Sequence, residues 1–316
     1  MVGPAARSRR LHCRGRIRVS EVKSYNGGRV HEDQMCENET TIDPKGHATD
    51  LFTQWAMDTL KDRAKKAPAK TPEPFFMLLS YNAPHAPIQP PKDWLKKVTD
   101  RNPKLPLKRS KIVALIEHLD DGIGQVLTSL NSLGLKDNTI VVFTSDNGGK
   151  LHYGASNGAL RSDKTHVYEG GIKVPTCIVW RGHVQANTTT EFEALTMDIL
   201  PTLAEMCNIS IPHEVDGDSF KQLAMTGKQT EFDRAVFHMW LQKTTRESIR
   251  HGDWKLVRDQ QERPYELYNI KDDLSEKTNL ATIMPEKVGE MARVLQAHMA
   301  RAKAVQWQRK TGPKDE

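Results

Sequence analysis

Cysteine is scarce, and what there is stands apart. Cys13, Cys36, Cys177 and Cys207 are widely spaced and form no CxxC pair, so neither a zinc cluster nor a disulfide scaffold is expected. Long apolar runs are missing too: none approaches the roughly 18 residues of a membrane-spanning helix. With 37% hydrophobic and 27% charged residues, the chain reads as soluble and globular, neither disordered nor membrane-embedded. Acids and lysines are absent from residues 1–20, which hold six arginines, Arg7, Arg9, Arg10, Arg14, Arg16 and Arg18. These account for the whole excess of 46 basic over 40 acidic side chains. The remainder is formally neutral, so no global nucleic-acid-binding surface is indicated. The arginine-rich start has the charge of a signal-peptide n-region, but no apolar h-region follows, so no export signal is read.

The 316 residues leave room for about two domains of roughly 150 residues. From residue 47 helix-like and strand-like patterns alternate, the layout of an α/β fold with a mostly parallel sheet flanked by helices. A first helix is predicted from near Thr49, burying Leu51, Trp55, Ala56 and Leu60, then a charged, proline-spaced connection from Lys61 to Pro74. The continuous apolar run Phe75 to Ser80 predicts a strand buried on both faces. It ends at Asn82-Ala83-Pro84-His85-Ala86-Pro87, where prolines forbid ladder pairing. A long amphipathic helix follows, capped by Ser110 and carrying Ile112, Leu115, Ile116, Leu119, Ile123, Val126, Leu127 and Leu130 until Gly134. A second buried strand, Thr139 to Thr144, leads into Ser145-Asp146-Asn147-Gly148-Gly149 and a glycine-rich loop to about Gly171. A third strand is predicted at Val174 to Trp180 and a helix from Leu195 to Cys207. Beyond residue 210, short segments at Arg234 to Trp240, Glu247 to Arg250, Trp254 to Arg258 and Tyr265 to Asn269 predict a smaller antiparallel sheet, closed by a helix from Pro285 to Lys303. The expected organisation is thus an arginine-rich start (1–44), a large α/β domain (45–210) and a small sheet-and-helix domain (211–316).

In an open parallel sheet, ligands bind beyond the carboxyl ends of the strands. Two predicted strands end in special sequences, one delivering His85 between prolines and the other Asp146 and Asn147 ahead of two glycines, and both ends are expected on the same sheet edge. Asp146 and Asn147 offer hard oxygen donors suited to Ca²⁺ or Mg²⁺, though two oxygens do not complete a shell of six or more. Taken singly, each feature has an ordinary reading. Asp-Asn-Gly-Gly is a common turn, a histidine beside prolines a common loop residue, and Lys164 a common surface lysine. Asp120 and Asp121, tempting as paired carboxylates, fall on the solvent side of their helix and are read as structural.

The order of these segments is what changes the reading. Pro74 to Pro91 (PFFMLLSYNAPHAPIQPP), Leu119-Asp120-Asp121-Gly122-Ile123-Gly124, Asp137-Asn138-Thr139 leading to Asp146-Asn147-Gly148-Gly149, Leu160-Arg161 with Lys164, and Tyr168 to Pro175 closely resemble the sulfatases of the arylsulfatase type. Met197 to Leu203, Gly252 to Leu256, Glu266 to Asn269 and Thr278 to Ala281 look like the same family. The similarity covers about residues 45 to 282. It implies an alkaline-phosphatase-like fold and a sulfuric ester hydrolase acting on aryl sulfates or sulfated glycans. By resemblance, Asp146 and Asn147 match calcium ligands, with Mg²⁺ the less expected ion. His85 matches a histidine that contacts the sulfate and assists the leaving oxygen, and Lys164 a lysine that binds the sulfate. Cationic donors and a divalent metal suit a group on which negative charge gathers.

One family element is missing. The resemblance implies a cysteine or serine within cysteine-x-proline/alanine-x-arginine, converted to the formylglycine nucleophile, and none of Cys13, Cys36, Cys177, Cys207 or the serines fits. The family's early aspartate pair and its lysine-tryptophan-histidine segment are also absent, and the family places all three upstream of the region matching residue 45. The expectation is a C-terminal part of a sulfatase, through truncation, a wrong start or a frameshift, with weak metal binding and little or no turnover as written. Poor solubility or self-association is expected from uncovered strands. Two alternatives remain open, a noncatalytic sulfate-binding or interaction protein and a phosphoester or phosphonate hydrolase of the same superfamily. No nucleic-acid or membrane partner is read, and a periplasmic or extracellular location is implied for the complete relative.

Overall fold

The computed structural model describes residues 35–37, 40–42, 44–66, 74–228, 233–240 and 245–303. The arginine-rich start, with Cys13, lies outside them. They fall into two compact units, one through Asn138 and one from Thr139, and the composition change near residue 210 falls inside the second.

The first unit opens with an antiparallel hairpin of β1 (Met35–Glu37) and β2 (Thr40–Ile42). Helix α1 (Ala48–Lys66) follows. It buries Ala48, Phe52, Ala56 and Leu60, one residue every four along a single stripe. Leu51 and Trp55 are only partly buried, so the inward face is turned from the predicted one. Helix α2 (Lys92–Arg101), which the periodicity did not predict, follows Pro91 and buries Val98. Helix α3 (Leu107–Ser132) starts after Pro106, not at Ser110. Pro106 is extended and has no N–H to leave orphaned, so the helix opens earlier. Ser110 is instead buried within the first turns, its hydroxyl donating to the Leu105 and Pro106 carbonyls at 3.3 Å.

Helices α1 and α3 approach closely at Gly122, where a Cβ would meet Thr53 Oγ1 at 2.6 Å. Beyond α3 the chain turns at Gly134, with φ +69°, a left-handed conformation that glycine adopts without steric cost. Asp120 and Asp121 are exposed, as predicted.

Phe75 to Ser80 correct the expectation of a strand buried on both faces. The segment is without a ladder partner among the described residues, and burial alternates along it. Phe76 and Leu78 are 82% and 78% exposed, while Leu79 and Tyr81 pack against Ala48 and Phe52. A strand is covered on both faces only where neighbouring layers exist to cover it.

In the second unit, β3 (Val141–Thr144) pairs with β4 (Thr176–Val179) in antiparallel register, Val141 opposite Val179 and Thr144 opposite Thr176. The mostly parallel pairing predicted from alternation is therefore not found among the described residues, where every ladder is antiparallel. A parallel neighbour needs a crossover, usually a full helix. Between β3 and β4 the chain supplies only a loop with the short helix α4 (Glu169–Ile172).

Helices α5 (Ile199–Met206) and α6 (Lys221–Thr226) lead to the predicted small sheet. Its strands β5 (Ala235–Trp240), β6 (Arg246–His251), β7 (Trp254–Arg258) and β8 (Glu266–Asn269) form an antiparallel meander in chain order. Helix α7 (Pro285–Lys303) packs Met291 and Leu295 on Ile249, Leu256 and Leu267. Val257 and Tyr268, adjacent along their strands to Leu256 and Leu267, point to the opposite face and pack with Val167, Tyr168 and Ile270. Both faces of this sheet are thus covered.

Candidate functional site

The loop between β3 and β4 carries Asp146, Asn147 and Lys164 and is cross-linked along its backbone. Asn157 is its centre: its amide oxygen accepts from Gly149 N at 2.9 Å, and its amide nitrogen donates to the Gly149 and Ser162 carbonyls at 3.0 Å. Lys164 N donates to Gly149 O at 3.3 Å and Gly148 N to Gly171 O at 2.9 Å. Lys150 spans the loop through Asp163 and the Lys164 carbonyl, both at 3.0 Å. The glycines are required by close backbone approach. A Cβ on Gly148 would stand 1.9 Å from the Gly170 carbonyl oxygen, and one on Gly171 2.1 Å from that of His166.

Within this frame Asp146 is exposed and Asn147 partly buried. The Asn147 amide nitrogen donates to Gly148 O at 3.0 Å, which leaves its oxygen as the donor atom for a cation. A carboxylate and an amide oxygen, one accessible and one oriented, fit a hard divalent ion.

Arg161 ties the loop to the sheet. Its guanidinium donates to Glu266 at 3.1 Å, Tyr268 at 2.7 Å and the Glu276 carbonyl at 3.0 Å, and stacks 3.9 Å from the Tyr168 ring centre. Burial and then Glu266 push the Tyr168 phenol up, and burial with the hydrogen bond to Glu266 does the same to Tyr268. Both stay protonated and donate to the Glu266 carboxylate.

Beneath α4, Lys255 is buried between two carboxylates, 2.7 Å from Glu169 and 2.9 Å from Glu276. Burial alone would raise both acids. Lys255 more than offsets this at Glu169, which lies below its ordinary value, but not at Glu276, which lies above it. Further along, Asp198 is fully buried and accepts from Leu195 N, Asp218 N and Arg234. Burial opposes its charge, but Arg234 and the two backbone donors outweigh it and hold the carboxyl below its usual range.

His85 lies in the first unit, in a tight turn where its N–H donates to Asn82 O at 2.8 Å. Nδ1 is 2.7 Å from the Ala86 carbonyl, an acceptor only, so Nδ1 carries the hydrogen and Nε2 is left to exchange a proton. The side chain is exposed.

Three residues that sequence reasoning missed cluster in the same unit. His118 on α3 is 4% exposed and its Nε2 lies 2.7 Å from Asp50 Oδ1, while His47 packs edge-on against it with ring centres 4.7 Å apart. His47 contacts the Gln89 carbonyl and Thr49 N, each at 3.2 Å. Burial and the neighbouring His118 lower its pKa. The available signal was His118 itself, a polar ring on the stripe of Ile112 and Leu115.

Comparison with known proteins shows the family of the chain. A family model described as Sulfatase matches residues 19–209, and one described as N-sulphoglucosamine sulphohydrolase, C-terminal, matches residues 161–304. A sulfatase of Formosa agariphila is 30% identical over 76% of this chain and 47% of its own length. The human N-acetylgalactosamine-6-sulfatase is 29% identical over 67% of this chain and 38% of its own. The crystal structure of Ps i-CgsB in complex with a neocarrahexaose superposes with a TM-score of 0.76 at 26% identity, covering 84% of this chain and 57% of that one. The chain therefore spans about half the length of the relatives it matches, and its fold is the alkaline-phosphatase-like fold of these proteins. Matched by the family model over more than half its residues, the chain belongs to the sulfatase family.

Proposed function

We propose that the protein to which this chain belongs hydrolyses sulfuric esters of carbohydrates. In this reading Asp146 and Asn147 ligate Ca²⁺, Lys164 binds the sulfate group, and His85, when doubly protonated, donates its Nε2 hydrogen to the leaving oxygen. The observation that carries it is the Asn157-centred loop, which fixes the backbone bearing Lys164 to the one following Asp146 and Asn147. A sulfate recognised by a cation and a metal needs both held in advance of binding. The carbohydrate assignment draws on the relatives, an N-acetylgalactosamine-6-sulfatase and a protein crystallised with a neocarrahexaose.

The family implies a divalent cation, which when bound would offset negative charge on the sulfuryl oxygens. Calcium is favoured over magnesium because it accepts irregular shells of six to eight oxygens, whereas magnesium demands near-ideal octahedral geometry. Of the chain's own groups, the Gly148 carbonyl orients the Asn147 amide, the loop backbone holds Lys164 to Gly149, and the Ala86 carbonyl keeps a hydrogen on His85 Nδ1.

No cysteine or serine of these 316 residues stands in a formylglycine motif, so the nucleophile is left unassigned. That observation supports a second reading, in which the chain binds sulfated ligands without turnover. Both are tested by titrating the chain with Ca²⁺ and N-acetylgalactosamine 6-sulfate by calorimetry, alongside an assay for released sulfate. Lys164→Ala is expected to weaken sulfate binding roughly tenfold, about 1.4 kcal/mol, and Asp146→Ala to weaken Ca²⁺ binding. Unchanged affinities in both variants would contradict the assignment, and sulfate release separates the first reading from the second.

A further inference from the structure

Calcium and sulfate recognition leave His47, Asp50 and His118 unexplained. His47 immediately precedes α1, Asp50 lies in its first turn, and His118 lies on the buried face of α3. One donor atom from each side chain lies within 4.8 Å of the other two. We propose that these three side chains form a site for a divalent transition-metal ion of the Zn²⁺ class, separate from the calcium ligands.

The donor set decides the ion. Two imidazole nitrogens and one carboxylate oxygen suit zinc and its first-row neighbours, whereas calcium takes six or more oxygens. Three protein ligands with one side open to solvent also match zinc sites that keep a water in the fourth position. The open side here is that of Asp50, whose side chain is 60% exposed, which gives the ion an entry path.

Preorganisation is partial and located. His118 is fixed to Asp50 through Nε2 at 2.7 Å, while its Nδ1 is buried with no hydrogen-bond partner among the described residues. The two ring nitrogens face opposite ways, so Nε2, on the Asp50 side, is the ligand atom: it would exchange its contact with Asp50 for the ion while Nδ1 carries the ring hydrogen. Bonds of about 2.0–2.2 Å would hold tetrahedral ligand atoms roughly 3.4 Å apart, so the widest gap must close. His47 is the ligand able to move. Its two contacts are long, at 3.2 Å, and Gly46 before it has φ +130°, a conformation open to glycine and not to other residues. Asp50 and His118 sit on helices locked at the Gly122–Thr53 contact. A bound ion would cross-link the start of α1 to α3.

The test uses the full chain stripped with chelator and titrated with Co²⁺ while visible absorption is followed, then with Zn²⁺. The expected result is one Co²⁺ per chain with the intense visible bands of a low-coordinate site, displaced by Zn²⁺ and not by millimolar Ca²⁺. His47→Gln and Asp50→Asn, both at the accessible side, should each weaken Co²⁺ binding at least tenfold with unchanged circular dichroism. His118→Ala removes a buried ring and is not relied upon. The proposal is overturned if the wild-type chain retains no Co²⁺, if Ca²⁺ displaces it, or if both variants bind as the wild type does. Sulfated-sugar affinity should be equal in all three proteins, so this result stands or falls separately from the sulfatase reading.

Discussion

His238 on β5 shows what a single side chain contributes beyond sequence pattern. Its Nδ1 is buried without a hydrogen-bond partner among the described residues, and burial, helped by nearby Lys255, pushes its pKa from 6.5 down to about 4. Between these values the unfolded chain binds a proton that the folded chain does not, so stability rises with pH. The expected outcome is a denaturant midpoint that falls as pH drops from about 6.5 towards about 4, and a shallower fall in His238→Gln. Equal slopes would refute this role for His238. At this scale the sequence offers candidates where motif and chemistry coincide. Asp146, Asn147 and Lys164 could be singled out because their order and spacing resemble a family. His47, Asp50 and His118 could not, because they meet only after α1 packs on α3 and lie 68 residues apart at the Asp50–His118 contact.

Elements were legible where periodicity is strong and partners are close in sequence. The meander β5 to β8 and helix α7 were predicted to within a residue or two, since each strand pairs with the next and alternates across a sheet covered on both faces. The α/β, alkaline-phosphatase-like class was legible from the alternation of helix and strand and from the family resemblance, whereas the antiparallel pairing of β3 with β4 was not, because alternation does not show that the loop between them lacks a crossover of adequate length. Lys255, predicted only as part of a motif on β7, holds Glu169 and Glu276 at the sheet surface. Removing one partner of a buried ion pair leaves uncompensated charge, costing about 3–5 kcal/mol. Lys255→Met is therefore expected to destabilise the chain by about that much in urea unfolding, and a loss below about 1 kcal/mol would show that the buried carboxylates neutralise without consequence. The loop gives a second test. Gly171→Ala places a methyl against the His166 carbonyl and is expected to lose both stability and Ca²⁺ affinity, whereas Gly124→Ala, which meets nothing within 4 Å, should be neutral or slightly stabilising as a helix-interior substitution.

For the molecule as a whole, what is uncovered matters as much as what is packed. Phe76 and Leu78 are 82% and 78% exposed on one side of an extended segment in the first unit. Apolar surface of this kind favours association. Self-association is the expected consequence, seen as concentration-dependent sedimentation that the double substitution Phe76→Lys and Leu78→Glu reduces without lowering the thermal midpoint; a monomeric wild-type chain, or association unchanged by the substitutions, would contradict it. No helix of the described residues is long and apolar enough to cross a membrane. The central claim is that the loop joining Asp146, Asn147 and Lys164 recognises a sulfate ester in the presence of calcium. The most direct measurement is the affinity of the intact chain for N-acetylgalactosamine 6-sulfate and for the matching 6-phosphate, each with and without Ca²⁺. The account predicts tighter binding of the sulfate, strengthened by Ca²⁺ and lost in Lys164→Ala. Equal or tighter binding of the phosphate, or affinity indifferent to both Ca²⁺ and Lys164, would contradict it.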